Sequence, residues 1–235
     1  MHPLHRSLVA NPCSSNPTGR IPATPTAADG TVYVGSGDEY LYALDTEDGT
    51  EQWRFDTGGR IDASPTVGDE SIYVGSVSSA VLAVDRERGE QQWKFNTGAS
   101  VLGAPAVVEG TVYAGSGDHN VYALNSADGT ERWSFSTRGG VSDGPAVVND
   151  TVYAGSRDSN VYALDVSDGS QRWQFEVDAP IHTSPTVTDE TLFVGSNDGY
   201  LYAVELGDDD PDGLWRVLAG GIEQSGGAGG DDSRL

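Results

Sequence analysis

Short apolar segments alternate with polar turn residues along most of this chain. Residues 101–140 show the pattern: four segments rich in β-branched and aromatic residues are separated by clusters of Gly, Asp and Asn. Such alternation predicts short β-strands joined by tight turns. The predicted strands of this stretch are Ala104–Val108, Thr111–Ser116, Val121–Asn125 and Arg132–Ser136. No window of the repeat places apolar residues at helical spacing, so the pattern predicts an all-β fold.

The four-strand pattern recurs every 40 residues through five consecutive units. Three residue types mark the period: Pro25, Pro65, Pro105, Pro145 and Pro185; Gly35, Gly75, Gly115, Gly155 and Gly195; Trp53, Trp93, Trp133, Trp173 and, two residues late, Trp215. A strict period of this length indicates an array of identical supersecondary units. The predicted units are 21–60, 61–100, 101–140, 141–180 and 181–218.

A four-stranded unit of this length is typical of one blade of a β-propeller. A single sheet cannot bury both of its faces, so each blade needs a neighbour on either side. We expect Gly35 and its equivalents to allow a close approach from the next blade. Each Trp is expected to form an apolar plate between blades, with its N–H bonded to a carbonyl.

Five blades leave the overall closure undetermined. The sequence predicts either a small closed ring or an open arc of a larger propeller. An open arc would expose a strand edge at each end, and exposed edges pair with other chains. The predicted partners are therefore proteins, or further copies of this chain through blade edges.

The end of each unit resembles a known motif. Residues 43–53 read ALDTEDGTEQW and residues 163–173 read ALDVSDGSQRW. Both are similar to the tryptophan-docking motif of the pyrroloquinoline-quinone-like (PQQ-like) propeller repeat, and the resemblance covers residues 21–217. WD-repeat blades are the nearest rival, but the chain contains neither a Trp-Asp dipeptide nor a Gly-His start. The resemblance implies a member of the quinoprotein-dehydrogenase-like superfamily, in which six to eight blades are usual.

This resemblance implies two different functions. Catalytic members hold the quinone and calcium on the propeller axis, with Glu, Asn and Asp ligands, a catalytic Asp, a floor Trp and often adjacent cysteines. Here all five Trp belong to the repeat, Cys13 is the sole cysteine, and regular 40-residue units leave no room for inserted catalytic loops. We therefore predict a non-enzymatic scaffold or protein-interaction module, with no cofactor and no catalytic, cofactor-binding or metal-binding residues. The alternatives are a fragment or degenerate member of a PQQ-dependent alcohol or sugar dehydrogenase, and a small sugar- or ion-binding module.

The composition is strongly acidic. Lys and Arg total 13 against 36 Asp and Glu, which gives a formal net charge of −23, and Lys94 is the only lysine. This composition indicates adaptation to high salt, where dissolved ions screen the repulsion between carboxylates. An ordinary acidic protein is the alternative. Nucleic-acid binding is disfavoured, because phosphate contacts need a basic surface.

Departures from the repeat mark candidate contact residues. The predicted corners between blades carry different side chains, namely Arg60, Asp62, Leu102, Asp143 and His182. Variable side chains on a rigid scaffold can provide specific contacts, and loop drift without function is the alternative. The second unit departs most from the others, with 77–80 (VSSA) in place of a Gly-Asp turn, Leu82 in place of Tyr, and the basic residues Arg86 and Arg88.

Three further motifs have a chemical interpretation. Asp208, Asp210 and Asp212 begin a calcium-loop pattern, but Arg216 and Ala219 occupy its ninth and twelfth positions, which favours an acidic hairpin. Residues 140–144 match G-x-S-x-G, yet Ser142 precedes a strand rather than a helix, so we predict no nucleophile there. Residues 149–151 form a glycosylation sequon, which matters only in an exported protein. The histidines His2, His5, His119 and His182 show no metal-ligand spacing.

The ends of the chain lie outside the repeat. Residues 1–20 are predicted to be a disordered leader. The alternatives are a lost preceding blade, because 18–21 (TGRI) resembles 57–61 (TGGRI), and a start misread from the gene. Residues 219–235 are rich in Gly and Asp and are predicted to be a flexible tail. We recognise neither an export signal nor a membrane-spanning stretch, and the sequence leaves the cellular location open.

Overall fold

A computed structural model describes residues 17–188 and 190–206 and the backbone of the strands at 211–218 and 221–225. Every regular element in these residues is a β-strand, and the strands form five separate antiparallel sheets. The all-β propeller architecture predicted from the repeat is therefore confirmed. None of the described elements is an apolar helix of membrane-spanning length.

Each sheet is a meander in which strands adjacent in sequence pair with one another. Blade 1 contains β1 (Thr26–Ala28), β2 (Thr31–Gly35), β3 (Tyr40–Asp45) and β4 (Glu51–Asp56). Blade 2 contains β5 (Thr66–Val67), β6 (Ser71–Ser76), β7 (Ala80–Asp85) and β8 (Gln91–Asn96). Blade 3 contains β9 (Ala106–Val108), β10 (Thr111–Gly115), β11 (Asn120–Asn125) and β12 (Glu131–Ser136). Blade 4 contains β13 (Ala146–Val148), β14 (Thr151–Gly155), β15 (Asn160–Asp165) and β16 (Gln171–Glu176). Blade 5 contains β17 (Thr186–Thr188), β18 (Thr191–Gly195), β19 (Leu201–Leu206), β20 (Pro211–Leu218) and β21 (Gly221–Ser225).

The fifth blade differs from the prediction at one point. β21 pairs with β20, so this sheet has five strands, and the strand occupies part of the stretch predicted to be a flexible tail. Periodicity could not reveal it, because no other unit carries a strand after its Trp strand. The remainder of the predicted tail and residues 1–16 of the predicted leader lie outside the described residues.

Residues with positive φ form the tight turns of each blade. Asp29 and Gly30 join β1 to β2 with φ values of 45° and 79°. Gly129 joins β11 to β12 with φ of 72°, a conformation that glycine adopts without steric cost. The Asp-Gly pairs of the sequence thus close hairpins as expected.

Neighbouring blades are held together by a hydrophobic layer. Between blades 1 and 2, Tyr33, Leu41 and Trp53 of the first sheet pack against Ile72 and Val84 of the second. Equivalent layers fill the other three gaps between consecutive blades. Burial of these layers is the main stabilising contribution to the array, because no sheet has a core of its own.

The Trp of a blade contacts a glycine turn of the following blade. The indole N–H of Trp93 donates to the carbonyl of Ser126 at 2.8 Å, and a Cβ added to Gly129 would lie 2.7 Å from the Trp93 ring. Trp53 and Trp133 make the same pair of contacts with their following blades. The glycine is therefore required for two reasons: its φ is positive, and the indole occupies the space that a side chain would need.

The chain crosses between blades over the strand glycines. A Cβ on Gly35 would lie 2.4 Å from Cγ2 of Ile61, which belongs to the connection leading into blade 2. Val101 covers Gly75 and Ile181 covers Gly155 in the same way. The close approach expected at these glycines is thus made by the connecting segment rather than by the next sheet.

The five blades form an open arc. Leu201 on the last described face of blade 5 is 43% exposed, whereas its equivalent in blade 1, Leu41, is fully buried. A closed ring would cover that face with blade 1. Of the two arrangements predicted from the sequence, the structure therefore shows the open arc.

Candidate functional site

The connections between blades lie at one end of the arc, and they carry different side chains at equivalent positions. We define the corner face as the connections between blades, residues 57–65, 97–105, 137–145 and 177–185, together with the β2–β3 turn of blade 1 and its equivalents. The connections are fixed by backbone hydrogen bonds to the turns on both sides: the N–H of Ile61 donates to Ser36, and the carbonyl of Arg60 accepts from Val77. The corner face is therefore a rigid surface, although it lacks regular structure.

The structure separates the predicted corner residues into two groups. The Arg60 guanidinium bonds both oxygens of Asp62 at 2.6–2.9 Å, and Asp143 accepts from the backbone N–H groups of Gly144 and Ser184, both at 2.9 Å. These charges stabilise the corner itself. Leu102 is half-buried and His182 is exposed, so these two side chains are the ones presented to solvent without such a role.

The structure also locates the G-x-S-x-G motif and the glycosylation sequon. Ser142 lies in the connection before β13, where its hydroxyl accepts a hydrogen bond from Arg157. Asn149 occupies the hairpin between β13 and β14 with φ of 52°. Among the described residues, no group of three His, Cys, Asp or Glu side chains is placed to hold a metal ion. The predicted Asp208–Asp212 hairpin, Cys13, His2 and His5 lie outside the residues whose side chains are described.

A Tyr–Asp pair that was not predicted from the sequence recurs on the corner face. In blade 3, Asp118 accepts from the Tyr122 hydroxyl at 2.8 Å, from the Gly98 N–H at 2.6 Å and from the Asn120 N–H at 3.0 Å. The carboxylate thus joins the turn of its own blade to the connection that enters it. Equivalent pairs link Asp38 to Tyr42, Asp158 to Tyr162 and Asp198 to Tyr202.

In blades 1, 3 and 4 the surroundings of the pair lower the pKa of the carboxyl group and raise the pKa of the phenol. Burial acts to raise the pKa of Asp38, but hydrogen bonds from Ser36, Thr18 and Tyr42 outweigh it and lower the pKa to about 2. Burial and the bond to Asp118 raise the pKa of Tyr122 to about 12. The pairs therefore stay intact across the neutral range.

Blade 2 lacks both members of the pair. Ser78 replaces the Asp and Leu82 replaces the Tyr, and the Ser78 hydroxyl donates to the Thr57 carbonyl instead. The simultaneous loss of the two residues was the signal in the sequence that could have revealed the contact. A buried phenol without its acceptor would lose a hydrogen bond, so the joint replacement avoids an unsatisfied group.

We expect Tyr122→Phe to lower the free energy of unfolding by about 1.5–3 kcal/mol, the usual contribution of a hydrogen bond to a charged group. The double variant Asp118→Ser, Tyr122→Leu reproduces blade 2 and should cost less than the sum of its two single changes. Urea unfolding of the unmodified chain, Asp118→Ser, Tyr122→Leu and the double variant measures this coupling. Single costs that add within about 0.5 kcal/mol would contradict an energetic pair.

A cleft of about 680 Å³ lies between blades 1 and 2 at the opposite end of the arc. It is lined by five carboxylates and two guanidinium groups along with Thr31, Tyr33 and Gln52; the charged residues are Asp29, Asp69, Glu70, Asp85, Glu87, Arg86 and Arg88. Arg86 bridges the two blades, because its side chain donates to the Tyr33 hydroxyl at 3.2 Å and pairs with Asp29. The rare basic residues of unit two thus partly neutralise an acidic cleft.

Comparisons with known proteins agree with this architecture. A family model described as outer membrane protein assembly factor BamB matches residues 10–139 and 117–231. Among curated protein sequences, none matches the chain significantly.

Solved propellers superpose on most of the chain. BamB from Moraxella catarrhalis has a TM-score of 0.74 at 17% identity, covering 84% of this chain and 65% of that protein. Quinohemoprotein alcohol dehydrogenase from Comamonas testosteroni has a TM-score of 0.75 at 17% identity, covering 86% of this chain and 43% of that enzyme. The computationally designed Ika8 protein has a TM-score of 0.72 at 15% identity, covering 86% of this chain and 70% of that design. At these identities the likeness shows the fold, and the chain spans less than two thirds of the BamB structure and less than half of the dehydrogenase.

Proposed function

Because this chain belongs to the PQQ-like repeat family whose model is described as outer membrane protein assembly factor BamB, we propose that it is a non-enzymatic scaffold that docks other proteins. The observation that carries this proposal is the use of the repeated aromatic residues. Trp53, Trp93 and Trp133 are each packed against a glycine turn of the following blade. These three indoles hold neighbouring blades together, and this structural use of the repeated aromatic residues supports a scaffold.

The corner face is the proposed docking surface. It is rigid, and each connection presents a different side chain at the same place, as Asp62, Leu102, Ser142 and His182 do. A regular scaffold that carries different side chains at equivalent positions is suited to recognising one extended partner surface.

Photo-cross-linking tests the docking surface. A photoreactive side chain is placed at Leu102 or at His182 on the corner face, and at Thr46 on the opposite end as the control, since Thr46 is also exposed. After irradiation in a native extract at its natural salt concentration, we expect the same protein adduct from Leu102 and His182 and none from Thr46. Equal adducts from all three positions, or none from the corner face, would contradict the assignment.

A degenerate or fragmentary PQQ-dependent dehydrogenase is the second candidate, because quinohemoprotein alcohol dehydrogenases share the fold. Incubation with the quinone and calcium, followed by desalting, separates the two functions. For a scaffold we expect no retained quinone absorbance and no alcohol-dependent reduction of a dye. A bound chromophore with turnover of an alcohol would establish the dehydrogenase instead.

We also propose that the surface is adapted to high salt. The support is the net charge of −23 with a single lysine, together with exposed acidic side chains such as Asp48, Asp128 and Glu131 in the outer turns and strands. Carboxylates at this density repel one another unless ions screen them.

A further inference from the structure

Two neighbouring segments of the corner face carry no charged side chain. They are the β6–β7 turn, residues 76–79 (SVSS), and the connection 97–105 (TGASVLGAP). Each of the other connections and each of the equivalent turns contains at least one Asp, Glu or Arg. Segments without charge therefore stand out in a chain with 36 acidic and 13 basic residues. We call residues 76–79 and 97–105 together the uncharged corner.

The two segments form one continuous surface. The N–H of Thr97 donates to the carbonyl of Ser79 at 2.9 Å, and the hydroxyl of Ser100 donates to the carbonyl of Val77 at 3.2 Å. Four apolar side chains of the uncharged corner are half-buried and so keep part of their surface in solvent: Val77, Ala99, Leu102 and Ala104. Because hydrogen bonds already fix this surface, a partner that binds there has little ordering to bring about.

The absence of charge from blade 2 has a structural cost. In blade 3 the Asp118 carboxylate accepts hydrogen bonds from the Tyr122 hydroxyl and from the Gly98 N–H. In blade 2 the neutral Ser78 hydroxyl takes its place and donates one bond of 3.3 Å to the Thr57 carbonyl. Bonds to a charged group are stronger than bonds between neutral groups, so blade 2 holds its turn with weaker contacts. A departure from the repeat that weakens the fold indicates a position where function imposes a further requirement.

An uncharged surface is suited to burial by a partner. Removal of a carboxylate from water is costly unless the carboxylate is paired, and the centres of protein interfaces are depleted in charged residues and surrounded by a polar rim. At one border of the uncharged corner the Arg60 carbonyl accepts the N–H of Val77, and the Arg60 side chain pairs with Asp62. At the other border Asp118 accepts the N–H of Gly98. An apolar contact also remains effective where dissolved ions screen charges.

We propose that the uncharged corner is the centre of the docking surface and binds a protein segment that presents uncharged, apolar side chains. This inference rests on the proposed docking function and adds the position and the chemistry of the contact. Leu102 and Val77 contact the partner. The positions equivalent to Leu102 carry Asp62, Ser142 and His182, so the other corners present polar groups where this one presents an aliphatic side chain. A charged segment is disfavoured, because its charge would lose water here without gaining a partner.

The test places a charge in the uncharged corner with substitutions that the repeat already contains. Leu102→Asp copies Asp62 and Val77→Arg copies Arg157, which occupy the equivalent positions of other units, so both changes are compatible with the fold. Ser142→Asp adds the same charge as Leu102→Asp at an equivalent position outside the uncharged corner and is the matched control. Far-UV circular dichroism in molar salt checks that each variant is folded.

Three peptides of equal length probe the chemistry of the partner. Each has Gly and Ser at its ends, and the centre reads Leu-Phe-Leu, Asp-Phe-Asp or Lys-Phe-Lys. Amide shifts of the isotope-labelled full chain in molar salt, measured by NMR, locate each peptide and give its Kd. We expect the Leu-Phe-Leu peptide to shift amides of 76–79 and 97–105 and to bind about tenfold more tightly than the charged peptides.

The variants should change the binding of the Leu-Phe-Leu peptide selectively. We expect Leu102→Asp and Val77→Arg to weaken it by about tenfold and Ser142→Asp to leave it within about twofold of the unmodified chain. No shift in the uncharged corner, equal binding of the charged peptides, or an equal effect of Ser142→Asp would overturn the proposal.

Cross-linking separates this inference from the docking function itself. A photoreactive side chain at His182 reports the partner adduct, which we expect to be lost in Leu102→Asp and kept in Ser142→Asp. An adduct kept in both variants would overturn this inference alone, and no adduct from the unmodified chain would overturn the docking function with it. Light scattering tests a second copy as the occupant: a dimer of the unmodified chain that Leu102→Asp abolishes would overturn the proposal and assign the corner to self-association.

Discussion

Replacing Trp133 by alanine is expected to lower the free energy of unfolding by about 3–5 kcal/mol, the usual cost of removing a large buried aromatic side chain. Trp133 is buried, its ring contacts Tyr113 at a centroid distance of 5.8 Å, and its indole N–H bonds the Val166 carbonyl at 2.9 Å. The change removes the plate between blades 3 and 4 and leaves that carbonyl without its donor. Domains of this size have about 5–15 kcal/mol of stability in total, so the loss is a large share. Urea unfolding in molar salt measures it, and a loss below about 1 kcal/mol would show that the indole is not an interface residue.

Two glycines with the same positive φ separate the steric effect of the Trp ring from the backbone cost of replacing glycine. Gly129 and Gly49 have φ values of 72° and 73°, but only Gly129 lies beneath an indole. In Gly49→Ala we expect the cost of a left-handed alanine alone, about 1–2 kcal/mol. Gly129→Ala should cost about 1–3 kcal/mol more, because the methyl group meets the Trp93 ring. Urea unfolding of the two variants in the same molar salt measures the difference, and equal costs would contradict the steric role of the indole.

Lowering the salt concentration is expected to unfold the chain. At about 1 M salt the Debye length is about 3 Å, and at about 0.1 M it is about 10 Å, so carboxylates on adjacent turns begin to repel one another as salt is removed. With 36 acidic and 13 basic residues, ion pairs inside the chain cannot neutralise this repulsion. We expect far-UV circular dichroism to show loss of the native signal on dialysis from molar to low salt, and recovery on return. A neutral osmolyte at equal osmolality is the control, since it leaves charges unscreened.

A native signal that persists in low salt would contradict the proposed adaptation. It would also place this chain among ordinary acidic proteins, in which the net charge serves solubility alone. The fold and the proposed docking function do not depend on this outcome.

The repeat made the blades predictable, because one local pattern was present five times in the same phase. The expected strand Thr111–Ser116 is observed as Thr111–Gly115, and the expected Arg132–Ser136 as Glu131–Ser136. Turn chemistry and strand propensity act within a few residues, so the sequence contains the information directly.

Contacts between distant residues were harder to predict. Arg86 bonds to Asp29 and Tyr33, which are 57 and 53 residues away in the sequence, and no local sequence pattern predicts this bridge. The Tyr–Asp pair was overlooked for a different reason: Asp118 looked like a turn residue and Tyr122 like a core residue, and each role was correct by itself. The lack of cover over Gly49 could not be predicted either, since Gly49 has the same sequence context as Gly129 and differs only in what lies above it.

The spacing of the indole contacts has a consequence for synthesis of the chain on the ribosome. Trp53, Trp93 and Trp133 each donate to a carbonyl 33 residues further along. At translation speeds of about 5–20 residues per second, a finished sheet waits about 2–7 s before the turn that caps its Trp has been made. Each blade therefore emerges with an uncovered aromatic surface that only the next blade can shield. Assembly proceeds from the N-terminal blade onward, and a pause in translation within one blade prolongs the exposure of the blade before it.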